Sequence, residues 1–402
     1  MSGRAPIRRV VQVHTRYRQA GGEDRVVAAE RLLLEEAGIE VEQVLFENAE
    51  LRESRSLAGD LRLATSAVWS RSAQRRVGAA LAAHRPQVMH VHNTFAAASP
   101  SVYAAASRHG VPVVQTLHNY RFVCPAATAF RDGHACTDCV GRRLAWPAVV
   151  HSCVRGSRAQ SAVAATTLGV HRALGTFDRR IDTYVALTSF QRQLMVDGGL
   201  PAERIQVVPN FLEPDPGAGS GPRTGVLYVG RLAEEKGIAT LLRAAELNPG
   251  SVSVAGDGPL APLVHEATAA GHVRYLGTLG SGEVADQLGG AAALAVPSIW
   301  FEGFPMVVLE AYAAGTPVIA SRIGSLATIV EDGVTGLLAE PGDADQLGKR
   351  FAWAIDHPAE LAELGARARQ RYETRYRGAA HLAALLDIYQ ASIARTRRQA
   401  SA

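Results

Sequence analysis

The sequence predicts an α/β protein made of two doubly wound, parallel-sheet halves. Its 402 residues exceed one comfortable core, so the chain should divide into domains. Short apolar runs alternate with helical stretches in both halves, the pattern of strands covered on both faces. Between them PNFLEPDPGAGSGPR, at 209–223, is rich in Pro and Gly and reads as a linker.

Composition sets further bounds. With 47% apolar and 20% charged residues, the chain is globular rather than disordered. The net charge of +4 splits into +9 over residues 1–210 and −5 over the rest. A basic first half suits an anionic ligand or membrane surface, although an Arg-rich composition alone gives the same excess. Lys occurs only at 236 and 349. The N-terminus MSGRAPIRRVVQVH has no apolar segment with a cleavage site, so we expect a cytoplasmic, at most membrane-peripheral, protein. No uninterrupted apolar run reaches about 18 residues, so no membrane span is expected.

Residues 8–14 (RRVVQVH) read as a buried strand, followed by a loop ending in Gly21-Gly22 and a helix from about 23, with Gly38 past its last turn. This places backbone N–H groups at the carboxyl end of a strand, where open α/β sheets bind ligands. The GxGxxG spacing is missing, so it is no dinucleotide fingerprint. A tight turn needing positive φ and a phosphate contact fit equally. Residues 40–46 form the second strand. From 57 to 83 the chain reads helical, with Leu57, Leu61, Val68 and Trp69 among Arg52, Arg55, Arg62, Arg71, Arg75 and Arg76. Such a helix covers the core, or lies on an anionic bilayer. Strands at 87–92 and 112–117 flank a helix at 100–108.

His118 follows the last of these strands, well placed to touch a substrate or to make a structural hydrogen bond. All four cysteines fall nearby, at Cys124, Cys136, Cys139 and Cys153. They have the ligand count for a structural zinc, with His134 and His151 as substitutes; buried free thiols are the rival reading. A helix at 155–174, a strand at 182–187, a helix capped by Ser189 and a strand at 205–208 complete this half.

The second half opens with a strand at 224–229 running into Gly230, Arg231 and Lys236, with a helix beginning near Ile238. Two cations at a strand's carboxyl end can clamp a diphosphate, Arg by its fork and Lys as a point charge; exposed surface cations are the plainer reading. Residues 252–255 followed by Gly256-Asp257-Gly258 repeat the strand-then-glycine pattern. Strands at 273–276 and 293–296 lead to PSIWFEGFPMVVLEAYAAG, at 297–315. Glu302 and Glu310 lie eight apart there, separated by Gly303, Phe304, Pro305 and a helix from Met306 with Pro305 in its first turn. Eight helical residues span roughly 12 Å, about the reach from a sugar past a diphosphate to a ribose. Beyond a strand at 318–320, Asp343-Ala344-Asp345 reads as a helix cap rather than a metal pair. Helices close the chain, to 376 and from 378 to 397.

With these residues placed, the sequence resembles the family-4 retaining glycosyltransferases (glycosyl transferases group 1) of the GT-B fold, over nearly the whole chain and most specifically from 228 to 343. The matching pieces are Gly230-Arg231 with Lys236-Gly237, Gly256-Asp257-Gly258, Glu302 with Glu310, Gly315-x-Pro317-Val318, Gly333-x-x-Gly336, and, earlier, Gly21-Gly22-Glu23 and TLHNYRFVCP. The resemblance implies two Rossmann-like domains facing across a cleft: 1–210 on the acceptor side with a Cys-rich insert at 118–153, and, after a linker at 211–223, 224–376 binding the nucleotide sugar. A helix at 377–402 would return to the first domain.

By matching position, Arg231 and Lys236 would bind the donor diphosphate and Glu310 the ribose. Glu302 and the backbone of Gly230, Gly256, Gly303, Phe304, Pro305 and Met306 would lie at the donor, His118 near the reacting carbon, and Gly21-Gly22 on the cleft. The implied reaction moves a sugar from a nucleotide diphosphate sugar to a glycan or lipid-linked hydroxyl, with retention and no catalytic metal. Nothing suggests nucleic acid as a partner. A GT-B epimerase and a non-catalytic binding protein are the alternatives. Gly324-Ser325 replaces a usual Gly-Gly pair, Thr328 a frequent acid and Pro305 a common Gly, departures that bear on which sugar is used.

Overall fold

The computed structural model describes residues 6–16, 21–48 and 64–401. In chain order come β1 (Arg9–Arg16), β2 (Glu40–Glu47), β3 (Val88–Asn93), β4 (Val113–Leu117), a hairpin of β5 (Phe130–Arg131) and β6 (His134–Ala135), β7 (Thr183–Ala186) and β8 (Ile205–Val207). Then follow β9 (Val226–Val229), β10 (Val252–Ala255), β11 (Val273–Tyr275), β12 (Ala293–Val296), β13 (Val318–Ser321) and β14 (Gly336–Ala339).

Each half winds its own six-stranded sheet, ordered β2-β1-β3-β4-β7-β8 and β11-β10-β9-β12-β13-β14. All pairings within the two sheets are parallel. Their inner strands are buried almost end to end, as helices on both faces require, while the edge strands β2, β8 and β11 are partly exposed. In both sheets the strand order reverses beside the first strand, between β1 and β3 and between β9 and β12. At such switch points the carboxyl ends of neighbouring strands part and leave a crevice.

Two compact units result: Met1–Thr128 with Thr137–Pro209 and His381–Ala402, and Ala129–Cys136 with Asn210–Ala380. The closing helix Gly378–Ser401 therefore completes the core of the first unit. Leu385, Ile388 and Tyr389 pack with Val10, Val88 and Val114, and Ser392 Oγ lies 2.8 Å from Thr183 Oγ1.

The helix expected over 57–83 is not one element. Its start, with Leu57, Leu61, Arg52, Arg55 and Arg62, lies outside the described residues; 64–68 are helical, the chain breaks at Trp69-Ser70, and a new helix runs Arg71–His84. Ser70 causes the restart, its Oγ accepting from Ala73 N at 3.2 Å. Trp69 stacks on His171, with ring centres 6.1 Å apart, so it packs against the protein. The cap of helix Ser189–Asp197 is Thr188 rather than Ser189, and Pro305 is the N-cap of helix Met306–Ala313 rather than part of its first turn. Asp343 does cap helix Ala344–Asp356, accepting from Gln346 N at 2.8 Å. Among the described residues no helix is long and apolar enough to cross a membrane.

Candidate active site

In the second unit the site grows from β9 and β12, neighbours through Val226–Ala293 and Leu227–Leu294. After β9 the chain makes a tight turn over Glu234–Lys236 and reaches Gly237, whose φ of 71° only glycine adopts cheaply. A Cβ there would sit 1.9 Å from the Pro297 carbonyl oxygen, so bare backbone lets the two strand ends touch. That approach places Lys236 Nζ 2.8 Å from Glu302 Oε1. Ser298 Oγ donates to the same oxygen at 2.7 Å, and the ammonium lies 5.2 Å from the Trp300 ring centre.

Burial pushes the Glu302 carboxyl up, but the Lys236 charge and hydrogen bonds from Lys236 and Ser298 outweigh it and hold the pKa below the usual carboxylate value. Gly256, at φ 135°, presses on the Gly230 carbonyl, where a Cβ would come within 1.9 Å. These glycines bring strand ends together by absence of side chain.

Lys236 and Glu302 thus meet, more tightly than expected for groups assigned to different parts of one ligand. Arg231 does not join them: its guanidinium is exposed and paired with Glu235. Phe304 and Pro305 are buried, with the Phe304 ring edge-on to Tyr376 at 6.0 Å. Met306 opens the helix and its Sδ lies 3.6 Å from Asn210 Nδ2. Glu310 is half-buried one turn further in. The first N–H groups of this helix have no partner within it and face the end where anions are favoured.

The first unit holds a second polar cluster, around the carboxyl ends of β1, β3 and β4. Alternate positions of a strand share a face, so His90 and His92 both point to the helix Gly22–Glu36 and its buried Glu30. Glu30 Oε1 lies 2.9 Å from His90 Nδ1 and 3.3 Å from His92 Nε2, and accepts from Gln12 Nε2 at 2.8 Å. Glu30 Oε2 lies 3.3 Å from His381 Nε2. His90 also meets Tyr389 Oη and Thr116 Oγ1, each at 2.8 Å. His92 Nδ1 lies 3.0 Å from His118 Nε2, and His14 Nε2 lies 2.8 Å from Asp24 Oδ1.

Burial lowers the pKa of His118 well below the imidazole value and that of His92 to about 4, with neighbouring histidines adding to both. Glu30 is opposed by burial yet held well below the carboxylate value by His90, His92 and His381. At neutral pH Glu30 is therefore ionised, and His92 and His118 are neutral. His118 is half-buried and borders a cavity of about 60 Å³ with Phe95, Leu117, Arg121 and Phe122.

Gly21 is exposed and extended, at φ −127°, and neither it nor Gly22 has positive φ, which removes the tight-turn explanation for the pair. Gly21 N–H donates to Asp24 Oδ2 at 3.1 Å, and nothing lies within 4 Å of where its Cβ would be.

The zinc reading gains no geometry. Cys124, Cys136, Cys139 and Cys153 form no disulfide, and Cys139 is buried. Among the described residues the one metal-sized group of three or more His, Cys, Asp or Glu is Glu30, His90 and His92. No cysteine, and neither His134 nor His151, belongs to it. Sequence reasoning missed Ser298, Trp300, Glu30, His90 and His92. The His-x-His alternation and a Glu on the apolar side of its helix were the available signals.

Comparison with known proteins identifies the family and the fold. Residues 219–371 match the family described as Glycosyl transferases group 1, and residues 20–216 that described as Glycosyltransferase Family 4. The chain belongs to the family-4 glycosyltransferases. It is 30% identical over 302 residues to a glycogen synthase of Mycobacterium tuberculosis, covering 71% of this chain but only 64% of that enzyme's length. It is 28% identical over 338 residues to a D-inositol 3-phosphate glycosyltransferase of Thermobispora bispora, covering 77% and 72%.

Among solved structures, a sucrose-phosphate synthase of Thermosynechococcus elongatus superposes with a TM-score of 0.70 at 20% identity, over 95% of this chain and 98% of that one. Anabaena HepE in complex with UDP-glucose superposes at 0.62 and 18%, over 97% and 99%. The fold is GT-B.

Proposed function

We propose that the protein transfers a sugar from a nucleotide diphosphate sugar to an acceptor hydroxyl, with retention of configuration. The carrying observation is the Lys236–Glu302 pair at the β9/β12 switch point, beside the N-terminus of helix Met306–Ala313. A diphosphate leaving group gains negative charge as its bond to the sugar breaks. Lys236, Arg231 swung from Glu235, and the helix N–H groups are the preorganised positive field for that charge. Glu302 accepts from sugar hydroxyls and Glu310 from the ribose. His118 meets a sugar hydroxyl, and the Gly21-Gly22 backbone serves as a further N–H donor. We assign no covalent nucleophile and no catalytic metal; a donor diphosphate oxygen takes the acceptor proton.

Support for a nucleotide sugar comes from relatives that are glycosyltransferases and from neighbours solved with UDP or UDP-glucose. The same relatives favour transfer over the epimerase reading. The test is thermal stabilisation by UDP, GDP, ADP and TDP in parallel, followed by product analysis with and without acceptor. One nucleotide at 100 times its dissociation constant should add about 2.7 kcal/mol. No response to any of the four would remove the proposal.

For the acceptor we propose a glycan or lipid-linked precursor met at an anionic membrane surface. Trp146 and Val150 are exposed one turn apart, Leu144 is exposed just before them, and Arg142 lies over the Trp146 ring beside Arg143. Co-sedimentation with vesicles containing anionic lipid should be lost in Trp146→Ser/Leu144→Ser. Equal binding by this variant would move the contact elsewhere.

A further inference from the structure

His118 is the side chain our functional reading places against a sugar hydroxyl, and it does not stand alone. Its Nε2 is 3.0 Å from His92 Nδ1, and His92 Nε2 is 3.3 Å from Glu30 Oε1. The carboxylate is buried and already accepts from Gln12 Nε2, whose own Oε1 accepts from Gln43 Nε2 at 3.0 Å. That amide is therefore fixed with its donor end towards Glu30. Every group around this carboxylate can donate, which is what an acceptor-only, ionised oxygen requires.

Proton counting then settles the direction of the chain. His92 Nε2 makes no aligned hydrogen bond to Glu30, yet at 3.3 Å a lone pair there would face the carboxylate and be repelled, so the single proton of neutral His92 sits on Nε2 and its Nδ1 is bare. Two ring nitrogens 3.0 Å apart share one proton, so it belongs to His118 Nε2. The Nδ1 of His118, which has no hydrogen-bond partner among the described residues, is then left as an acceptor.

We propose that Glu30 and His92 are positioning residues that fix His118 in the Nε2–H tautomer, so that it presents Nδ1 as a hydrogen-bond acceptor to a hydroxyl of the bound sugar. The ring is thereby denied the role of proton donor to that sugar. It favours a ligand carrying a hydroxyl over one presenting a carbonyl or anionic oxygen at the same point. The assignment of the ligand rests on the function proposed above, whereas the tautomer does not.

The tautomer can be read without turnover, from two-bond 1H–15N correlations of 15N-histidine-labelled protein, with the His118 signals assigned by their loss in His118→Ala. The wild type should show His118 protonated on Nε2 alone. In Glu30→Gln, nearly isosteric, the direction is no longer enforced and both tautomers should appear. His92→Leu should do the same, while His92→Asn, which keeps an acceptor near the Nδ1 position, should restore the single form. An Nδ1–H tautomer in the wild type, or no change in Glu30→Gln and His92→Leu, overturns the proposal.

In the transfer assay, Glu30→Gln and His92→Leu should each lower kcat/KM about tenfold, with His92→Asn recovering most of it. That loss should shrink for a donor deoxygenated at the contacted hydroxyl. The expected tautomers with no transfer activity would sink the functional reading and leave the relay standing. Stoichiometric zinc retained by the wild type and lost in Glu30→Gln would instead make the cluster a metal site and end the relay.

Discussion

At the residue scale the decisive pair is Lys236 and Glu302. Breaking a buried ion pair from one side leaves a charge without compensation and costs roughly 3–5 kcal/mol, less here because Lys236 is a quarter exposed. Lys236→Ala should therefore lose stability as well as about 10²-fold in turnover. Adding Glu302→Gln should return most of the melting temperature and none of the rate. Recovery of both would mean that Lys236 serves only to neutralise its neighbour. Lys236 stood out in the sequence because lysine is scarce in this chain. Its partner was legible only as half of the Glu302/Glu310 spacing, since nothing linear indicates that residue 236 will touch residue 302. Arg231 shows the opposite limit: its position was readable, but side-chain direction on an exposed loop depends on which carboxylate is nearest, and Glu235 lies one turn away.

At the scale of elements, the contact between strand ends depends on glycine. Gly237→Ala must relieve both a left-handed backbone and an overlap with the Pro297 carbonyl, so the Glu234–Lys236 turn has to move off β12. We expect roughly 1–2 kcal/mol from the backbone alone, read from urea unfolding, and more from the overlap. The weakened Lys236–Glu302 contact should also lower nucleotide affinity. Unchanged affinity would show that the turn does not set the site. Strand positions were readable because parallel strands are continuous apolar runs, and β10 and β12 fall where the pattern places them. The hairpin β5–β6 was not, because two strands of two residues carry no periodicity. The break at Ser70 was hidden for another reason: helical spacing continues through it, and only the cap hydrogen bond to Ala73 marks the new start.

For the whole molecule, the buried ionisable groups predict sensitivity to acid. His92 has its pKa lowered to about 4, chiefly by burial and then by His90, and His14 and His118 are lowered as well. Glu30 is also held down, by His90, His92 and His381 against the cost of burial. Once unfolded, the imidazoles take protons near pH 6.5 and the carboxyl near 4.5. Below pH 6.5 the unfolded chain thus binds more protons than the folded one, and each such site removes up to about 1.4 kcal/mol per pH unit until its folded pKa is reached. The melting temperature should fall steadily from pH 7 to pH 5, and a flat profile would contradict the lowered pKa values of His14, His92 and His118.

The first half of the chain has its sheet, His90, His92, His118 and Glu30 synthesised by residue 209, yet His381, Leu385, Tyr389 and Ser392 arrive only with the last helix. During synthesis that half therefore waits through about 170 further residues before its interior is closed. A ribosome stalled before residue 381 would hold a nascent chain whose earliest-made sheet is still wet along one side, an open invitation to chaperones.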